Sequence, residues 1–215
     1  MEPEYIQKDF VELDTSRRFI AYAHLWKVSE FMLDRAADTP LGSNLHRVAA
    51  MGFAAFTFEA FLNHIGEHVV GTREWTIIER KLSPEQKVAI LGGRTKLAVT
   101  WSAKPWTDVR RLLRMRNEIA HGRNVELSET QYHKPGAFDP NTFDFLEPPW
   151  FSMKAREVER ITRSAKEAMR ILFDAAGMPD NEIFMGYGSQ LRKARMTQRA
   201  VPKATKTQRK TRGPT

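Results

Sequence analysis

Three polar side chains near the middle of the chain, Arg116, Asn117 and His121, could perform acid–base chemistry beside a fixed cation. Histidine titrates close to neutral pH, so it can act as a general acid or base. Asn117 and His121 are four residues apart, and on a helix such side chains lie one above the other and can hydrogen-bond. Arg116 and His121 are five apart, about 140° around a helix axis, so one straight helix does not aim both at the same atom. The spacing favours a site that is completed by a second subunit.

These residues are predicted to lie on a helix over residues 106–121. At about 100° per residue, its apolar residues share one face: Trp106, Val109, Leu112, Leu113, Met115, Ile119 and Ala120. Pro105 suits the start of a helix, and Gly122 suits the residue just past its end. Arg116 projects to within about 20° of the centre of the apolar face. A charge there is costly unless it is paired or faces a wet cleft.

A second predicted helix, residues 44–70, offers a partner for this arginine. Its middle, residues 49–62, is apolar on nearly all sides, which is typical of the central helix of a bundle. Glu59 is the only charge in that stretch, and Asn63 follows one turn later on the same side. We therefore expect Glu59 to pair with Arg116. An ion pair without any chemistry is the alternative interpretation of the same two residues.

The remaining pattern predicts an all-α domain over residues 15–180. An N-terminal extension, residues 1–14, precedes it, and a basic disordered tail, residues 181–215, follows it. The proline-containing stretch 123–149 is predicted to be a long irregular loop, and loops of that length are often functional. Further helices are expected at residues 15–38, at 74–80, from Ser83 to about Gly93, and at 152–176, with a loop at 96–104.

The net charge of +8 belongs to the C-terminal segment. Of the 34 Lys and Arg residues, nine lie in residues 191–215, where there is no acid. The other 25 face 26 acidic residues, so the rest of the chain carries a net charge of −1. Basic side chains attract the phosphates of nucleic acids. We expect such contacts from five residues: Arg110, Arg114, Arg123, Lys193 and Arg195.

Composition excludes several classes of protein. The chain contains no cysteine, which rules out disulfides, thiolate metal sites and a cysteine nucleophile. Its acidic N-terminus lacks the basic and then apolar pattern of a signal peptide. No run approaches the roughly 18 uncharged apolar residues of a membrane span. These features indicate a cytoplasmic protein that does not enter a membrane.

The stretch Arg116-Asn-Glu-Ile-Ala-His121-Gly resembles the signature of the HEPN superfamily (higher eukaryotes and prokaryotes nucleotide-binding). Phe58-Glu-Ala-Phe-Leu-Asn63 is similar to the acidic second helix of these domains. The run from Leu82 to Pro105 is similar to the connection that precedes the signature helix. The resemblance covers about residues 15–177, and it implies an up-and-down bundle of four to five helices.

The resemblance also implies a function. HEPN ribonucleases cleave RNA without a metal or other cofactor, usually as homodimers, and many are toxins or phage-defence effectors restrained by an antitoxin or regulatory protein. Carried over by position, His121 acts on the 2′-hydroxyl or the leaving group, Arg116 steadies the phosphorane, and Asn117 orients the histidine. Glu59, Asn63 and His64 are expected to support them. Because the signature persists in members without nuclease activity, a catalytically inactive module that binds RNA or protein is the alternative.

Two other patterns in the sequence suggest different functional roles. His64-Ile-Gly-Glu-His68 matches an inverted zinc-protease motif, for which Glu147 is a candidate third ligand. Gly66 inside the motif and the small all-helical context favour the other interpretation, polar residues at the exposed end of a helix. Trp101, Trp106 and Trp150 lie near the ends of the signature helix or in the long loop. Core packing is the ordinary role of tryptophan, and stacking on a base is the alternative.

Overall fold

Six helices are present in the part of the chain that the computed structural model describes. Their unit, Ile20–Gly186, is separate from a unit formed by the two terminal segments. The described residues are 5–122, 126–128, 130, 147–178, 183–184 and 187–202, and only the backbone is described at 5–18 and 187–202. The helices are α1 Ala21–Asp38, α2 Ser43–Val69, α3 Thr72–Ile78, α4 Pro84–Thr95, α5 Trp106–His121 and α6 Ala155–Ala175.

Helix α2 is the centre of this unit and contacts the five other helices. Its buried residues point to several sides, as its all-round apolar sequence predicts. Among the described residues, α2 is also the one helix long and apolar enough to cross a membrane, and half of that stretch is buried inside the protein. Burial of this kind is what the core helix of a bundle shows.

Local sequence signals set the ends of α4 and α5. Ser83 and Gln86 form a reciprocal capping box at the start of α4, followed by Pro84 in the first turn. Helix α5 begins at Trp106, directly after Pro105, and ends before Gly122, whose φ of 52° is left-handed. The predicted bounds of α5 are thus confirmed.

Helix α5 is fastened to α6 by polar contacts along its first turns. Asp108 is buried, accepts a hydrogen bond from Ser164 Oγ at 2.9 Å, and pairs with Arg160. One turn further, Arg111 pairs with Glu157. A buried carboxylate is tolerated when such partners satisfy it. These contacts fix how α5 is rotated and therefore which of its side chains face outward.

The terminal segments form a two-stranded antiparallel sheet of β1, Tyr5–Phe19, and β2, Tyr187–Pro202. This differs from two predictions. The first helix begins at Ala21 rather than at residue 15, and residues 187–202 pair as a strand where a disordered tail was expected. Such pairing joins segments that are distant in sequence, so local periodicity does not reveal it. The long loop predicted at 123–149 falls mostly outside the described residues.

Candidate functional site

The predicted ion pair between Arg116 and Glu59 is present, and it joins α5 to α2. The side chain of Arg116 is 20% exposed and that of Glu59 is 27% exposed. Arg116 Nε is buried and has no hydrogen-bond partner among the described residues. Burial lowers the pKa of the Arg116 guanidinium from its ordinary value, because desolvation penalises the charged form. Glu59 therefore holds the guanidinium at one edge, and one N–H group of Arg116 remains without a hydrogen-bond partner among the described residues.

A second cation meets α2 one turn beyond Glu59. Lys87 Nζ of α4 donates a hydrogen bond to Asn63 Oδ1 at 2.8 Å. Lys87 is only 7% exposed. Burial lowers the pKa of its ammonium, and the negative charge of Glu79 offsets part of that shift. Glu59 and Asn63 thus form a polar row on α2 that receives one basic side chain from α5 and one from α4.

His121 and Asn117 line an open cleft at the end of α5. The cleft has a volume of about 720 Å³, and its other walls include Glu118, Ile119 and the turn Pro148–Trp150. Both His121 and Asn117 are exposed, and they make no hydrogen bond with each other. Arg116 is not among the residues that line this cleft. The structure therefore brings His121 and Asn117 together and leaves Arg116 on the side of α5 that faces α2.

His64 does not join the polar row. Its ring lies against Tyr22 of α1, with centroids 5.2 Å apart. Five residues separate it from Glu59, about 140° around the helix, so it cannot share the side of α2 that meets Arg116. Within the described ranges, no three His, Asp or Glu residues come close enough together to hold a metal ion. The zinc-protease motif therefore gains no third ligand from them.

The expected nucleic-acid contacts fall into two groups. Arg110 and Arg114 are exposed on the outer face of α5, and the Arg110 guanidinium lies 5.2 Å from the ring centroid of Trp101. The side chains of the other three lie outside the described part of the chain: Arg123, Lys193 and Arg195. Among the tryptophans, Trp106 is buried in the core, whereas Trp150 lines the cleft.

Two residues of the candidate site were not predicted from the sequence. Lys87 lies one turn before the buried Leu91 on α4, so it sits on an apolar face just as Arg116 does. Projecting α4 as a helical wheel would have found it. Glu118 lines the same cleft as Trp150, from which it is distant in sequence. No local signal points to that shared position.

Comparisons with family models, curated proteins and solved structures gave no match to this chain. The resemblance to HEPN domains therefore rests on the signature residues and on the acidic α2 helix. In the structure, the ion pair of Arg116 with Glu59 joins these two stretches of the chain.

Proposed function

We propose that this chain is a metal-independent endoribonuclease of HEPN type, a homodimer that serves as a toxin or phage-defence effector under the control of a partner protein. The observation that supports it most is the partly exposed Arg116, held by Glu59, one turn before a cleft that contains His121. The Arg116 side chain is 20% exposed, and a guanidinium has more N–H donors than one carboxylate takes up, so it can also bind a phosphate oxygen. An imidazole in an open cleft is accessible to RNA.

The proposed reaction is attack of a ribose 2′-hydroxyl on its neighbouring phosphorus. The O2′–P bond forms and the P–O5′ bond breaks, leaving a 2′,3′-cyclic phosphate and a 5′-hydroxyl. His121 performs one of the two proton transfers, taking the 2′-hydroxyl proton or protonating the leaving O5′ oxygen, and solvent water performs the other. Arg116 stabilises the negative charge that develops on the non-bridging phosphoryl oxygens, and Asn117 orients the imidazole. Because Arg116 and His121 point to different sides of α5, each site combines Arg116 of one protomer with His121 of the other.

Cleavage of RNA in EDTA tests this proposal. The wild-type protein should cut RNA, and His121→Ala should lower the rate about 10²- to 10⁴-fold, the usual contribution of a general acid or base. His68→Ala is the matched control, because His68 is also an exposed histidine in the last turn of a helix. A 2′-deoxy nucleotide at the cleavage position should block the reaction. Equal rates for wild type and His121→Ala would contradict the proposal.

An inactive helical module that binds RNA or another protein is the second candidate function. Two observations favour it: Glu59 already neutralises Arg116, and Asn117 makes no hydrogen bond that would orient His121. In the same assay, this module would leave RNA intact while retaining it in a filter-binding measurement. Binding without cleavage therefore separates the two functions.

A further inference from the structure

The cleft at the end of α5 has the dimensions of a ligand site. Its volume of about 720 Å³ falls within the range of about 300–1,000 Å³ that small-molecule pockets occupy. Most of its wall is apolar, with a few polar side chains at one side. An apolar lining with a small number of polar groups suits an aromatic heterocycle such as a nucleobase.

Trp150 supplies a fixed aromatic wall. The turn that carries it is closed by a hydrogen bond from the amide of Phe151 to the carbonyl of Pro148 at 2.8 Å. The Trp150 ring packs against the core and meets the Phe151 ring edge to face, with centroids 6.0 Å apart. An indole that is already held in place loses little conformational freedom when a base stacks on it.

Glu118, on α5, supplies a hydrogen-bond acceptor to the lining of the cleft. Its side chain is exposed and has no ion-pair or hydrogen-bond partner within the described residues. A carboxylate only accepts hydrogen bonds, so it favours a base with an exocyclic amino group, as in cytosine N4. Uracil has a carbonyl oxygen at that position and would meet the carboxylate acceptor to acceptor.

We propose that this cleft is a nucleobase subsite in which Trp150 stacks the base and Glu118 selects cytosine over uracil. The subsite rests on the proposed function in one respect, that the ligand is RNA. Arg114 lies one turn before Glu118 on the exposed face of α5, where it reaches the adjoining phosphate. His121 borders the same cleft, so the ribose of the bound nucleotide lies beside the imidazole.

Binding of two short RNAs that differ by one cytosine or uracil tests the subsite. The measurement uses full-length His121→Ala in EDTA, so that cleavage does not intervene. The cytosine RNA should bind about tenfold more tightly, the discrimination of one good polar contact. Glu118→Gln should abolish the preference, because the amide both donates and accepts. A preference that survives Glu118→Gln, or equal binding of both RNAs by the parent protein, would overturn the assignment.

Variants of Trp150 test the stacking wall. Trp150→Ala should weaken both RNAs by about tenfold, whereas Trp150→Phe should retain most of the affinity. Phe31→Ala, a half-exposed aromatic on α1 outside the cleft, is the control and should change nothing. Thermal unfolding of each variant identifies a loss of fold, and Trp150→Phe keeps the test valid if Trp150→Ala unfolds. Unchanged affinity in a folded Trp150→Ala would overturn the stacking role.

The two proposals fail in different ways. If wild-type protein does not cleave RNA but the cytosine preference depends on Glu118, the nuclease assignment is wrong and the subsite stands. If cleavage depends on His121 but no base preference exists, the subsite is wrong and the nuclease stands. Absence of any RNA binding overturns both.

Discussion

If the protein is the homodimeric ribonuclease proposed above, mixing two inactive variants should restore cleavage of RNA. Arg116 faces α2, whereas His121 borders the cleft about 140° further around α5. In a homodimer with two composite sites, each site takes Arg116 from one chain and His121 from the other. On this proposal, a variant that lacks Arg116 and a variant that lacks His121 each lose most of their activity when assayed alone. Their mixed dimer has one intact site, because both defects fall in the other site.

The expected activity follows from this geometry. After random exchange of protomers, half of the dimers are mixed and each has one of two sites intact, so the mixture recovers about one quarter of wild-type activity. Loss of a charge-stabilising donor costs about 10²- to 10³-fold in rate. The mixture should therefore exceed the Arg116 variant by about 25-fold or more. Such a difference is measurable without purifying the mixed dimer.

The Arg116 variant must be built to keep the fold. Removing Arg116 alone leaves Glu59 partly buried without its partner. Breaking such a pair costs about 3 kcal/mol, a value at the lower end of the range for buried pairs. The double variant Glu59→Gln/Arg116→Gln removes both charges and avoids that cost. Its free energy of unfolding in urea should lie close to the wild-type value, well above that of Arg116→Gln.

The assay follows cleavage of RNA in EDTA by each variant alone and by their equimolar mixture after exchange. The control mixes His121→Ala with a chain that carries both His121→Ala and the Arg116 substitution. Neither chain has His121, so no pairing of them contains an intact site. If the exchanged mixture stays as inactive as its components while the wild type cleaves, the site lies within one chain. That result would refute the composite site.

Two further predictions concern the core. A Cβ on Gly66 would lie 2.0 Å from Cε2 of Trp75, so Gly66→Ala should lower the free energy of unfolding by about 3 kcal/mol. Gly93→Ala is the control, because a Cβ on Gly93 would have nothing within 4 Å. This substitution should be neutral or slightly stabilising. Urea unfolding compares the two. Burial lowers the pKa of Lys87 in the folded state. Between that lowered pKa and the ordinary value near 10.5, the unfolded chain binds a proton that the folded chain has lost. The free energy of unfolding should therefore rise as the pH increases through this range. Lys87→Met should flatten that rise, and an unchanged slope would contradict the burial argument.

The helices that the sequence predicts best are those whose signals are local. Helix α5 has a wide apolar face, a proline before it and a glycine after it, and each of its predicted bounds is found. Helix α4 begins at Ser83-Pro84 as predicted, although it continues to Thr95, two residues beyond the expected end. The pair Arg116–Glu59 was also predictable, because each residue is a single charge on an apolar surface and needs an opposite charge, which the other residue supplies.

What the sequence did not reveal depends on contacts between distant segments. Residues 15–19 carry helix-capping types, yet they pair with β2 instead of extending α1. Trp150 lines the cleft together with the end of α5 although the two are distant in sequence, and nothing local in the sequence encodes that proximity. Such placements come from packing across the fold, which periodicity within one segment cannot express.

The two halves of the proposed site are positioned by different parts of the protein. Arg116 is set by α2, through Glu59 in a polar row that also receives Lys87. His121 lies at the end of α5, in a cleft that the turn at Pro148–Trp150 also lines. Substitutions in the α2 row should therefore change how the guanidinium meets a phosphate, and substitutions in the turn should change how a nucleotide is presented to the imidazole. A composite dimer site would join these two independently positioned groups, since α5 itself holds them apart.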